Sequence, residues 1–276
     1  MTREARDRTA ASLVRLAASL SILTTVTLVV ILVSESIAFL RLPSPLTLAP
    51  MIAGSLLVAG LALAFALPVA LVIAVYLSEY CPPRVRFLLK TLLDVIAGVP
   101  SVVYGFVALS YVSPMLMTTT SEIGVYSALS GAIVLSAMII PFMASLCDDA
   151  IQAVPMELRD AGRALGGTQI ALVWHVILPN ALAGVGAAAF LGIARALGET
   201  MIVLIACGLQ PSLSFDPRVA VETLSAFIGA ALLSDAGATE AGAAQLFFVA
   251  TVLVIATFVL NSISTRWRAR YMRGSA

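Results

Sequence analysis

Six stretches of this chain are each apolar for about 20 residues, long enough to cross the hydrocarbon core of a bilayer as a helix. They run over 13–33, 51–77, 92–116, 124–146, 178–207 and 245–264 of the 276 residues. Helices and closed barrels are the structures that satisfy their own backbone in lipid, and apolar runs of this length read as helices. The expected fold is therefore all-α: a polytopic membrane protein with six transmembrane helices. The composition agrees, since 61% of residues are hydrophobic and 11% are charged, against about 25% charged in a soluble domain. The first run is expected to persist as a span, because it is longer than a signal-peptide core and no small-x-small cleavage site clearly follows it.

The basic residues set an expected orientation. With the N-terminus in the cytoplasm, thirteen of the 16 Lys and Arg residues fall on cytoplasmic segments, Arg41 and Arg218 fall outside, and Arg195 stays in the membrane. Basic residues concentrate on the cytoplasmic side of membrane proteins, so both termini are expected inside. A net charge of +1 and no basic stripe interleaved with aromatics point away from nucleic acid; the environment is membrane lipid. Cys81, Cys147 and Cys207 have no metal-ligand spacing and read as free, small apolar residues. His175 is the single histidine and reads as a solvated loop residue, so no metal site is expected. Outside the membrane, "RVAVETLSAFIGAAL" at 218–232 is expected to form a short helix against the membrane surface.

One cytoplasmic segment carries an unusual pattern, "PMELRDAGRALGGTQIALVWHVILP" from Pro155 to Pro179. Pro155 suits a helix start, where its missing N–H costs nothing. Glu157 and Asp160 favour the positive N-terminal end. Leu158, Ala161 and Leu165 lie at i, i+3 and i+7 and share one apolar face. Gly166 and Gly167 stop the helix, and Thr168 can cap the next. From the residues alone this is either a loop helix packed on its own bundle or a helix whose apolar face docks a partner. No GxxxxGK[ST] motif is present, and "GGT" at 166–168 lacks the phosphate-reaching lysine. No cofactor is expected in this chain; any ATP and Mg would belong to a partner subunit.

"IARALGETMIV" at 193–203 poses the sharper question. An ionisable side chain at the bilayer centre costs about 2.5–3.5 kcal/mol on the mildest scale, and here two occur together. On one continuous helix, Arg195 and Glu199 stand four residues apart on one face and can pair. Pro179 to Arg195 is about 24 Å of helix, which places the guanidinium well inside the membrane. Gly192, Ala194, Ala196 and Gly198 allow close helix approach. A structural ion pair and a site for a tetrahedral anion, which a planar guanidinium fork suits, both remain open. "LLDVIAGVPSVVYG" at 92–105 bears on the choice. Pro100 falls mid-span, where it gives either a plain kink or a helix restart that aims the Ser101 hydroxyl and the N–H groups of Ser101 and Val102 at an anion. Pro68 and Pro141 read as kinks.

The loop spacing resembles the EAA loop of ABC-importer permeases. Asp160-Ala161-Gly162 stands for EAA, Gly166 follows at the right distance, and Val176-Ile177-Leu178-Pro179 closes the motif. The departures are Asp for Glu, Gly for the second Ala and Val for Ile. Gly162 lowers helix propensity by roughly 1 kcal/mol against Ala, so a less rigid helix is expected. "YLSEY" at 76–80, "AGVPSVVYGF" at 97–106, "DDAIQAVPMELR" at 148–159 and "RALGETMIV" at 195–203 together resemble the permeases of the Pst phosphate importer. The Met after "GET" and "SFDP" at 214–217 are more similar to its PstC-type subunit. The segment between the first two spans, "LRLPSPLTLAP", is shorter than that subunit type has.

The resemblance implies a MetI-like ABC-importer permease core over 46–276, including a coupling loop at 155–179, preceded by a peripheral helix within 1–45. It implies a transport subunit rather than an enzyme, in a bacterial inner membrane. The implied partners are a second, PstA-like permease, two copies of an ABC ATPase and an outer phosphate-binding protein. Arg195, Glu199, Thr200, Pro100 and Ser101 would line the substrate path. Glu157, Leu158, Asp160, Ala161, Gly162, Arg163, Leu165 and Gly166 would form the ATPase-coupling helix and its turn. Rival readings are a permease for sulfate, molybdate or tungstate, an ion-coupled secondary transporter with Glu199 carrying a proton, and a sensor that moves no anion.

Overall fold

The computed structural model describes residues 3–40, 48–120, 122–234 and 239–274, and its regular structure is helical throughout. The long elements are α1 (Arg3–Leu40), α2 (Leu48–Val75), α3 (Pro83–Ala97), α6 (Ala128–Gln152), α9 (Leu178–Leu197) and α12 (Glu240–Gly274). Shorter ones are α4 (Ser101–Val107), α5 (Ser113–Thr119), α7 (Met156–Ala164), α8 (Gln169–Leu172), α10 (Met201–Ala206) and α11 (Leu224–Leu233). Wide turns at Tyr76–Tyr80, Ala108–Val112 and Val173–Ile177 extend α2, join α4 to α5 and join α8 to α9. Among the described residues, six helices are long and apolar enough to cross a membrane: Ala11–Ile37, Leu48–Tyr80, Ser101–Thr119, Ala128–Gln152, Gln169–Leu197 and Ala241–Trp267. Most of the short segment expected between the first two spans, with Arg41, lies outside the described residues.

The core forms where small residues let helices touch. α2 presents Ala59, Ala62, Ala66 and Ala70 to α6, and all four are buried. A Cβ on Gly192 of α9 would stand 2.7 Å from the sulfur of Met143 on α6, and one on Gly184 would strike Ala150. Packing that depends on missing side chains is what helices use where the hydrophobic effect cannot drive them together. α1 joins the bundle chiefly along α12, through the stacked Phe39 and Phe248 rings, 4.8 Å apart, and a hydrogen bond from Thr251 Oγ1 to the Leu32 carbonyl.

Four expectations change. The third span begins at Ser101, not at 92, because α3 is a separate amphipathic helix with no buried residue. Its leucines lengthen the apolar run without belonging to the span. The fifth span ends at Leu197, and the chain breaks before α10. The 218–232 segment does not lie on a surface. Its helix, α11, is threaded against α10, α12 and α2 with Leu224, Ser225 and Ala226 buried. Thr223 caps it, and its Leu224 N–H reaches Ser55 Oγ of α2 at 2.9 Å. His175 lies exposed on a helical turn rather than in a loop, with Nδ1 3.0 Å from the Ala171 carbonyl.

The loop before α11 buries Glu222 beside Gly54 with no hydrogen-bond or ion-pair partner among the described residues. Burial raises its pKa above the ordinary carboxylate value. A raised native pKa favours the fold at low pH and loses that contribution as pH climbs through it. Glu222→Gln is therefore expected to raise the melting temperature of the detergent-purified protein at pH 7 by about 2–4 °C. The gain should shrink towards zero as pH falls to about 4, read by thermal denaturation across pH.

Candidate functional site

α9 carries Arg195 in its last turn, and the helix closes at Gly198. Glu199 and Thr200 cross a non-helical gap, and α10 starts at Met201. The two charges therefore do not share one continuous helix, and no ion pair joins them among the described residues. Each instead sits at a helix end of opposite polarity. Arg195 lies at the negative C-terminal end of α9, a favourable place for a cation. The Glu199 carboxylate accepts the Met201 N–H at 3.2 Å, which satisfies a backbone donor that the start of α10 leaves open. The Glu199 carbonyl accepts from Ser225 Oγ of α11 at 2.7 Å, and the Glu199 N–H reaches the Ala196 carbonyl at 3.3 Å. The break is held closed by its own side chain and by α11.

The depth of the break follows from what α9 and α10 touch on α6. Gly184 meets Ala150, Gly192 meets Met143, and Cys207 meets Gly131 near the other end. Arg195 lies between, its guanidinium carbon 5.1 Å from the centre of the Phe142 ring. Phe142 is about 21 Å along α6 from Ala128, near the middle of that span. The guanidinium is exposed on the chain's surface and makes no hydrogen bond or ion pair among the described residues. The aromatic face offers it about 1–2 kcal/mol of cation–π attraction.

Pro100 ends the turn after α3, and α4 restarts at Ser101, so the restart rather than a plain kink is observed. Gly105 of α4 sits against Met201 and Ile205, which lays α4 along α10. Ser101 is half-buried and Pro100 exposed. Thr200 turns its methyl towards Gly229 of α11, a packing contact that holds the break. Phe142 and Ser225 were not singled out in the sequence. Neither residue type stands out in an apolar helix, and only three-dimensional proximity reveals them.

At the far end of the bundle, α7 forms as the segment pattern predicts. Pro155 precedes it, and Thr168 caps α8 by accepting the Ala171 N–H at 3.3 Å. Gly166 takes φ +76°, a left-handed conformation that favours glycine. Leu158, Ala161 and Leu165 are exposed together, with Leu165 89% accessible. Glu157 is also exposed, and Asp160 and Arg163 pair at 3.0 Å on the same helix. Gly162 faces the other way. A Cβ there would meet Leu172 at 2.5 Å, so this glycine admits α8 and does not join the exposed face.

Behind α7 lie two polar clusters that the sequence did not disclose as such. Arg159 is buried and pairs with Glu79 of the turn that extends α2. Asp148 of α6 is fully buried and takes Arg86 at 2.7 Å and Lys90 at 3.1 Å, pinning amphipathic α3 to the bundle. Burial opposes the Lys90 charge, but the hydrogen bonds and charges of Asp149 and Asp148 outweigh it and raise its pKa. "YLSEY" contained the available signal, an acid in an otherwise apolar stretch. A cavity of about 650 Å³ opens between α6 and α9 at this end, lined in part by Asp149, Pro155, Leu158 and Asn180. It does not include Arg195 or Glu199.

Residues 66–273 match the family model described as binding-protein-dependent transport system inner membrane component. The chain belongs to that family. It is 32% identical over 240 residues to the phosphate transport system permease protein PstC of Xylella fastidiosa, covering 80% of this chain and 73% of that one. It is also 32% identical over 239 residues to the PstC protein of Pasteurella multocida, covering 78% and 75%. The resemblance read from the motifs therefore holds. In fold it is similar to a bacterial alginate ABC transporter chain, with TM-score 0.62 and 17% identity over 95% of each chain. It is likewise similar to a chain of the MetNI methionine ABC transporter, with TM-score 0.59 and 17% identity over 79% of this chain and 93% of that one. As an inner membrane component with six apolar spans, the chain is a multi-pass transport subunit and not an enzyme.

If the restart at Pro100 borders a water-filled path, its first residue is reachable from water. With Cys81, Cys147 and Cys207 replaced, Ser101→Cys is expected to react with a polar, charged thiol reagent in membranes, and Val203→Cys, buried in the core on α10, to stay unlabelled. Mass spectrometry of the labelled protein checks both.

Proposed function

We propose that this chain is the transmembrane permease subunit of an ATP-driven, binding-protein-dependent phosphate importer, of the PstC type. The observation that carries the reading is a guanidinium at mid-span, exposed at a helix break and with no ion pair among the described residues, in a chain similar to PstC proteins over four-fifths of its length. Facing hydrocarbon, that charge would cost about 2.5–3.5 kcal/mol or more. Facing an aqueous path at the seam with a second permease, it meets water and a tetrahedral anion that its planar fork can hold through paired hydrogen bonds. Ion-pair glue within the chain has less support, because Glu199 is engaged with the backbone of α10.

In this reading Arg195 binds the anion, Glu199 fixes the break so that Arg195 is presented, and Ser101 and Pro100 border the path, with Thr200 packing the break against α11. Leu158, Ala161 and Leu165, flanked by Glu157, Asp160 and Arg163, dock one of two ATPase subunits, with Gly166 as the turn. ATP and Mg are bound by those subunits, not by this chain. A PstA-like permease completes the path, and a binding protein delivers phosphate on the outer side. Both termini and α7 face the cytoplasm of a bacterial cell, as the distribution of basic residues favours.

Two measurements test this. Proteoliposomes holding this chain, its partner permease and the ATPase, with binding protein outside and ATP inside, should accumulate radiolabelled phosphate, with sulfate and molybdate competing weakly. Uptake of another oxyanion instead of phosphate would overturn the cargo and leave the machine. Ala161→Glu should release the ATPase in pull-downs, because a carboxylate buried without a partner at an interface costs about 2–5 kcal/mol. Retention of the ATPase with full coupled uptake would contradict docking on this face.

A further inference from the structure

Arg159 is the buried residue of α7, and its guanidinium joins that helix to two spans at once. One nitrogen donates to the Glu79 carboxylate at the end of the α2 extension. A second donates to the Ile151 carbonyl near the C-terminal end of α6 at 2.6 Å, and Nε reaches the Val154 carbonyl in the turn after it at 3.4 Å. The Glu79 carboxylate is itself held from two further sides. Ser78 Oγ donates to one oxygen at 3.1 Å, and Gln169 Nε2 donates to the other at 3.1 Å. Gln169 opens α8, on the far side of the left-handed turn at Gly166. One carboxylate therefore grips both limbs of the loop, α7 through Arg159 and α8 through Gln169. Side-chain exposure is 2% for Glu79 and 7% for Arg159, so water does not screen the pair.

We propose that Glu79 is the joint that passes displacement of α7 into α2 and α6; the proposal rests on the reading that α7 docks the ATPase. The alternative route for a push on α7 is the glycine turn, and Gly166 and Gly167 offer little resistance to bending. Clamping both sides of that turn to one carboxylate removes the soft route, so the loop moves with the spans as one body. Glu79 touches neither nucleotide nor anion in this scheme. It is a positioning residue, and its loss should separate ATP hydrolysis from transport rather than abolish binding of either.

The test uses the full complex in proteoliposomes and reads phosphate imported per ATP hydrolysed. Glu79→Gln keeps the shape and one acceptor oxygen but removes the charge. The ATPase should remain bound and active while phosphate per ATP falls about tenfold. A merely structural role would lower both rates in step, so an unchanged ratio overturns the joint. Should Glu79→Gln fail to assemble, Gln169→Leu removes only the α8 contact and leaves the ion pair. It should lower the ratio about threefold, and an unchanged ratio overturns the proposal equally. Ala161→Glu in the same preparations separates the two ideas. Retention of the ATPase there removes the docking reading and the joint with it. Release of the ATPase together with an unchanged ratio in the Glu79 and Gln169 variants overturns the joint alone.

Discussion

Inside a bilayer every peptide N–H and C=O must find a partner within the protein, since an unsatisfied group there costs several kcal/mol. The helix break at Gly198–Thr200 is built around that constraint. Ending α9 and restarting α10 near the middle of the adjoining α6 span would strand donors and acceptors. Glu199 supplies its carboxylate to the Met201 N–H, Ser225 supplies its hydroxyl to the Glu199 carbonyl, and Arg195 takes the electronegative end of α9. The charges that looked expensive in an apolar sequence therefore make the break affordable. The break in turn leaves Arg195 exposed on the chain's surface, with no ion pair among the described residues. In the proposed reading, anion recognition and backbone satisfaction are two consequences of the same arrangement.

The opposite end of the bundle follows a different rule. There, polar side chains bind elements that hydrophobic packing alone would leave loose. α3 has no buried residue, yet Arg86 and Lys90 fasten it to the buried Asp148. α7 is short, but Arg159 and Glu79 fix it beneath α2 and α6. Removing one member of such a buried pair costs about 3–5 kcal/mol, because the other is left charged and dry. α7 thus has one immobilised face and one exposed apolar face, the geometry required of a helix that takes up force from a partner. The chain between these ends is packed on alanine and glycine contacts.

Much of this was legible in the sequence, for reasons that differ from element to element. Hydropathy placed the spans, because burial in lipid acts on every residue of a run. Pro155, Gly166 and Thr168 marked the start of α7, the turn and the cap of α8, because caps and left-handed turns depend on local chemistry. Pro100 left a kink and a restart open, and the structure puts it at the start of the third span rather than mid-span, because α3 is not part of that span. The break at Gly198 was not legible. Glycine among alanines in a membrane helix reads as close packing, and nothing local in "ARALGET" says that Glu199 will turn to cap the next helix. That Gly162 faces inward was hidden for a similar reason. Its propensity cost is local, whereas the Leu172 side chain that requires it arrives from another element. α3 extended the third apolar run because its leucines count equally whether they face lipid or an interface. Glu79 stood in plain view in "YLSEY", but its partners lie 80 and 90 residues further along the chain.

The central claim is that Arg195, presented at a mid-span helix break, handles the transported anion. The most direct measurement is ATP-dependent phosphate uptake by the assembled complex carrying Arg195→Ala, with Arg195→Lys beside it. The account predicts that the alanine variant assembles and hydrolyses ATP but loses uptake, and that lysine, a point charge without the planar fork, restores only part of it. Wild-type uptake by an assembled Arg195→Ala complex would contradict the account and return the residue to a structural role at the end of α9.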